Sequence, residues 1–189
     1  MPLRPTAKLT RKSPGRIKTA LASIRSLSNG PDRVKVGWPS GTDDGIILRA
    51  VVNEFGSRGS GKGFKTARGG GFGGPIPERP ALRNSFRGNR SRYQHAMKAE
   101  MRGIVRAIAS GHRVDPAGIL SRLGIMAQGH VQEEITSLKS PPNSPLTKAL
   151  KGSDNPLIDS GAMRAAVSYQ VVNSNGGGLL SSVARSVFR

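Results

Sequence analysis

An α+β domain carrying a basic arm and a glycine-rich loop is the fold class this sequence predicts. Three observations lead there. Two short segments, Arg33–Trp38 and Ser168–Val172, carry strand patterning near opposite ends of the chain. Between them, apolar residues recur at helical spacing in several runs. Finally, Gly and Pro supply 38 of the 189 residues, which argues for long irregular segments around a modest core. That core is aliphatic, since aromatics make up only 4% of the chain. The length allows one ordinary domain with arms.

Residues 1–30 are expected to be a basic arm. Met1 to Leu27 holds seven Lys or Arg and no acid, and its first fifteen residues read as a segment that a partner orders. Thr19–Leu27 is patterned for a short helix, with Leu21, Ile24 and Arg25 at helical spacing. Asn29-Gly30-Pro31-Asp32 is a turn signal that ends the arm. The core domain follows over 31–172, with 173–189 as a C-terminal docking tail.

In the core, Val34, Val36 and Trp38 alternate onto one strand face. Asp43 or Asp44 then caps a helix to about Glu54, with Ile47, Ala50, Val51 and Phe55 on one stripe and Gly56 at its end. The segment 57–74 contains eight glycines, interleaved with Arg58, Lys62, Lys65 and Arg68. Ordering so much glycine is entropically costly, so a mobile loop or a long hairpin tip is expected. Beyond a Pro-rich stretch, Arg79, Arg83 and Arg87 repeat every four residues around a short helix.

Over about Tyr93 to Ser110, the residues Tyr93, Met97, Met101, Ile104, Val105 and Ile108 form an apolar stripe. Lys98, Arg102 and Arg106 recur on an adjoining face. Like charges stacked in this way repel by a few tenths of a kcal/mol per pair, unless something negative lies against them. Asp115-Pro116 reads as N-cap and N1 of a helix to about Ser137, buried through Leu120, Leu123, Ala127 and Val131 with Ile135 beside them. Ser144-Pro145 opens one short turn through Leu150. Asp159-Ser160-Gly161 leads into another around Ala162–Ala166.

Motifs for catalysis are weak. Gly56 to Gly63 nearly matches a phosphate-binding loop, but Gly63 stands where a hydroxyl residue should hold magnesium, and the preceding segment is helical. His95, His112 and His130 are far apart in sequence, so no metal site is expected. Asp43-Asp44 and Glu133-Glu134 are adjacent pairs that diverge in direction. Ser160 has no nucleophile-elbow frame. No enzymatic activity, cofactor or metal is therefore expected. Cysteine is absent, which fits assembly in a reducing cytoplasm.

Charge is the strongest single datum. Thirty Lys and Arg face eleven Asp and Glu, for a formal net charge of +19. A polyanion nearby would relieve that self-repulsion, and phosphate neutralisation with counterion release is the natural form of relief. No apolar run approaches the ~20 residues of a membrane span. Nucleic acid is the expected neighbour.

Five segments, in order, carry a resemblance. They are Asn53-Glu54-Phe55-Gly56, then Ile76-Pro77-Glu78-Arg79-Pro80-Ala81-Leu82-Arg83, then Ser140-Pro141-Pro142, then Thr147 with Lys151, and finally Pro156-Leu157-Ile158-Asp159-Ser160-Gly161-Ala162-Met163. Their order and spacing over about Val34 to Val172 resemble the tail-completion and minor-tail (neck, head–tail joining) proteins of long-tailed bacteriophages. Ala81 stands where that pattern usually has an aromatic, and Ser160 where it has Thr.

The resemblance implies a small, mainly antiparallel sheet packed with helices. It also implies a virion protein of the neck or tail, made in the host bacterial cytoplasm. Such a protein forms a homo-oligomeric ring around the DNA channel, six subunits being one candidate number, and contacts other neck and tail proteins. Arg58, Lys62, Lys65 and Arg68 would then line the channel or grip an adjacent ring, acting on DNA without reading its sequence. Glu54 and Arg79 are expected to pair and clamp the base of the glycine loop. The alternative is a sequence-independent nucleic-acid-binding module of the ribosome- or nucleoid-associated type. Against it, Trp38, Tyr93 and Tyr169 are too scattered to make a stacking platform.

Overall fold

The computed structural model describes residues 14–58, 64–65, 71–72, 75–151 and 154–173. Among them the chain is an α+β domain, mostly helical, built around one small antiparallel sheet. Strand β1 (Arg33–Gly37) pairs with β4 (Ser168–Val172), so that Val34 faces Val171 and Val36 faces Tyr169. A two-stranded sheet is marginal alone and needs a packed helix. That helix is α5 (Pro116–Ser137), which lies across both strands.

Helix α5 begins as its sequence dictates. Asp115 accepts the amide of Ala117, and Pro116 occupies the first turn where its missing N–H costs nothing. One end, at Ile119 and Leu120, joins a cluster with Leu27, Ile104 and Val114, against which Val34 packs. The other end, at Val131 and Ile135, joins Ala81, Leu138, Leu157 and Val167, against which Val36 and Trp38 pack. The alternation of β1 thus feeds two halves of one core.

Helix α4 (Arg90–Ser110) lies beside α5, and Gly111 ends it in the left-handed conformation at φ 75°. A Cβ on Gly111 would press on Arg16 of helix α1 (Pro14–Asn29). From Pro14 on, the stretch expected to be an arm is therefore part of the domain. Residues 14–29 form a helix packed on α4, with Ser23 and Leu27 fully buried. The reason lies in the 3.6-residue period, which lines up Ser23 and Leu27 on the inner face. Residues 1–13 and 174–189, where a docking tail is expected, lie outside the described residues.

Helix α2 (Asp44–Phe55) is capped by Asp43, whose carboxylate accepts the Ile46 amide. The expected stripe is rotated. Ala50 and Glu54 are buried, while Val51 and Phe55 are exposed. Of the glycine-rich segment, β2 (Phe64–Lys65) pairs antiparallel to β3 (Gly71–Phe72), and Ser57 bridges Ile76 where the segment joins the domain. After it come α3 (Ala81–Gly88), α6 (Pro145–Lys151) and α7 (Ala162–Ala165). Trp38 ties the sheet to α7 by donating its indole N–H to the Met163 carbonyl at 2.9 Å.

Candidate functional site

Two features concentrate polar chemistry: a buried junction beneath the glycine hairpin and an exposed row of cations on α4.

The junction starts from a missing cap. Helix α3 follows Pro80, which has no side-chain acceptor for the first free amides of the helix. Glu54, arriving from the end of α2, supplies it from outside. Its carboxylate accepts the amides of Leu82 and Arg83, each at 3.0 Å, and also Arg83 Nε at 3.1 Å. Arg83 reaches on to the Glu54 carbonyl and to Glu78 at 2.9 Å, and its guanidinium lies 5.3 Å from the centre of the Phe55 ring. The two carboxylates hold the Arg83 pKa above its ordinary value, Glu78 first and then Glu54.

The expected Glu54–Arg79 ion pair does not form; Glu54 takes Arg83 instead. Position on the helix decides this, since Arg83 sits in the first turn of α3 beside the amides that Glu54 caps. Arg79 is 7% exposed and turns to backbone oxygens. Its Nε donates to the Pro141 carbonyl at 2.8 Å, and its terminal nitrogens donate to the Pro142 carbonyl at 3.0 Å and to Asn53 Oδ1 at 3.3 Å. Burial pushes its pKa down. Its planar fork suits this work, because three acceptors are met in fixed directions.

Asn155 gathers the remaining strands of the junction. Its Oδ1 accepts the amides of Leu157 and Ile158, its Nδ2 donates to the Thr136 carbonyl, and its carbonyl accepts from Asn143 and from Lys151 Nζ. Burial lowers the Lys151 pKa, nearby Arg79 adds to that, and Asp159 opposes it. The five segments behind the family resemblance, distant in sequence, thus meet here or pack beside it. Sequence reasoning missed Arg83, Asn143 and Asn155 as members, because nothing local marks a residue that bonds the backbone of a remote loop.

The cation row has a simpler origin. Lys98, Arg102 and Arg106 project from one side of α4 at steps of four residues, roughly 12 Å in all. All three are exposed, and among the described residues none has a carboxylate within 4.0 Å. His95 lies on the same exposed side. A DNA duplex alongside would present one phosphate per ~1.7 Å of axis, enough to neutralise the whole row.

The other expected row is dismantled. Arg79 is buried, Arg83 is ion-paired, and only Arg87 of the three faces solvent unpaired among the described residues. Of the four loop cations, Arg58 is exposed beside the Ser57–Ile76 bridge, and Lys65 belongs to β2. Lys62, Arg68 and the Lys65 side chain lie outside the described residues.

Other titratable groups meet only in separate pairs among the described residues. His130 Nδ1 is 3.0 Å from the Tyr93 hydroxyl, whose pKa burial pushes up. Among the described residues no three His, Cys, Asp or Glu side chains gather as a metal site would require. Nor, among them, is any helix long and apolar enough to cross a membrane. Compared with known proteins, the chain matches no family model, no curated protein and no solved structure.

Proposed function

We propose that this chain is a non-enzymatic structural protein of a bacteriophage neck or tail, acting in tail completion or head–tail joining as one subunit of a ring around DNA. Assembly in the host cytoplasm and residence in the virion belong to the same reading. The observation that carries it is the unpaired row Lys98, Arg102 and Arg106 on a regular helix of a chain with net charge +19. Such a row faces a phosphate backbone without any device for reading bases. The buried junction supports the reading in a second way. It gives the motif residues a structural task, holding loops to helices.

Light scattering of the purified chain, with and without random-sequence duplex, tests the proposal. A discrete oligomer formed without DNA supports a ring subunit. A monomer that coats DNA with steep salt dependence, and forms no discrete oligomer, favours the nucleic-acid-binding module instead.

A further inference from the structure

Helices α1 and α2 each turn one face inward and leave a line of large apolar residues on another, outside the core. On α1 the buried face runs through Ser23 and Leu27, while Ile17, Leu21 and Ile24 remain 51%, 61% and 44% exposed. These three recur at i, i+4 and i+7, so they form one line well round the helix from the buried face. On α2 the buried face runs through Ala50 and Glu54, while Leu48, Val51 and Phe55 remain 64%, 48% and 64% exposed. They too form one line, at i, i+3 and i+7. Both lines cover seven residue steps, about 10.5 Å of helix.

Large aliphatic side chains scattered singly on a surface are ordinary. Two ordered lines of matching length are not scattered. Within the subunit the helices lean elsewhere, α1 on α4 and α2 on α3 and α7.

Charge indicates what covers them. Helix α1 carries Arg16, Lys18 and Arg25 with no acid, and Lys18 and Arg25 flank its exposed line. The exposed side of α2 and its cap carries Asp43 and Asp44 against Arg49 alone, in a chain where bases outnumber acids almost threefold; Glu54 is buried and taken by Arg83. Asp44 continues the α2 line at its N-terminal end, four residues before Leu48. A second copy approaching at random meets repulsion from a chain of net charge +19, whereas α1 against a neighbour's α2 brings +3 onto an exposed −1 across apolar contact.

We infer that the exposed line of α1 in one subunit docks on the exposed line of α2 in the next. The contact joins different surfaces of two identical chains, so it propagates and closes into a ring when the rotation between subunits permits. It rests on the ring reading above and specifies which faces meet.

Two exposed-site variants of the full chain test it, Leu21→Lys on α1 and Leu48→Lys on α2. Each places an unpartnered ammonium in an apolar contact and is expected to weaken self-association about ten-fold or more in sedimentation velocity. Circular dichroism should show both variants folded. Mixed together, they retain one good contact, the Leu48→Lys chain's α1 on the Leu21→Lys chain's α2, and should form a 1:1 dimer and nothing larger. Variants that keep the wild-type oligomer would overturn the α1–α2 contact while leaving the ring reading intact. A mixture that stays monomeric also overturns it, because the intact α1 and α2 lines then fail to meet. A wild-type chain that is monomeric at its highest soluble concentration, and coats DNA as a monomer, overturns both.

Discussion

The ring of Tyr169 on β4 occupies the space that a Cβ at Gly124 of α5 would fill, with three ring atoms within 3.0 Å of that position. A glycine in mid-helix costs about 1 kcal/mol against alanine. Here it lets the helix come down onto the sheet, and the two core clusters depend on that closeness.

Gly124→Ala should therefore destabilise the fold by about 1–3 kcal/mol through overpacking. Gly129→Ala, five residues on and with nothing within 4 Å, should stabilise it by about 0.5–1 kcal/mol. Urea denaturation of the two variants gives the contrast. Equal shifts would mean that Tyr169 does not press on α5.

Glu54→Ala removes the cap of α3 and leaves buried amides unsatisfied, so a loss of about 2–3 kcal/mol is expected. Arg83→Ala should cost less, since its guanidinium is half exposed and solvent screens it. The ordering of the two losses in thermal melts is the test, because a simple ion pair would make them alike.

Arg79→Lys keeps the charge and loses the fork. Two backbone carbonyls and Asn53 then share one ammonium, for a cost of about 1–3 kcal/mol. Hydrogen exchange should loosen around 138–145 in that variant before the rest of the domain. Uniform protection across the chain would show that Arg79 does not hold this loop.

Stability should fall in acid through the pair formed by Glu100 and Arg122, whose oxygens and nitrogens meet at 2.7 and 2.8 Å. Hydrogen bonding to Arg122 holds the Glu100 pKa below its ordinary 4.5, with burial opposing. A depressed carboxylate pKa stabilises the fold above the unfolded value. That contribution disappears as pH falls from about 4.5 through the folded pKa. The Glu100→Gln variant should lack this increment, at most about 1 kcal/mol for so exposed a pair, and converge with the parent at low pH. Parallel pH profiles would sink the assignment.

Replacing Lys98, Arg102 and Arg106 together by Gln should lower the slope of log affinity for duplex DNA against log salt by roughly 2–3. The melting temperature should hold or rise slightly, since like charges at i, i+4 no longer repel. Anisotropy of a labelled duplex across a salt series measures this. The matching neutralisation of Arg58, Lys62, Lys65 and Arg68 tells whether the hairpin shares the contact. An unchanged slope in the α4 variant would remove the row from the DNA-facing surface.

Much of the secondary structure was legible because its signals are local. Asp115-Pro116 starts α5, Asp43 starts α2, Ser144 accepts the Thr147 amide at the head of α6, and the alternation from Arg33 marks β1. Each depends on a few neighbouring backbone groups, so each can be read within a few residues. The cation row was legible for the same reason, as a matter of spacing on one helix.

What the sequence alone determined is thus the set of elements, the α+β class and the surplus of charge. Tertiary structure decided which apolar stripe of α1 and α2 goes inward, and that Val105 stays 63% exposed although it shares the α4 stripe with buried Ile104. It decided that Glu54 serves Arg83 and that Arg79 serves Pro141 and Pro142. Periodicity gives a helix a face without saying what lies opposite. Hydrogen-bond partners are chosen by distances that exist only once the chain has closed on itself.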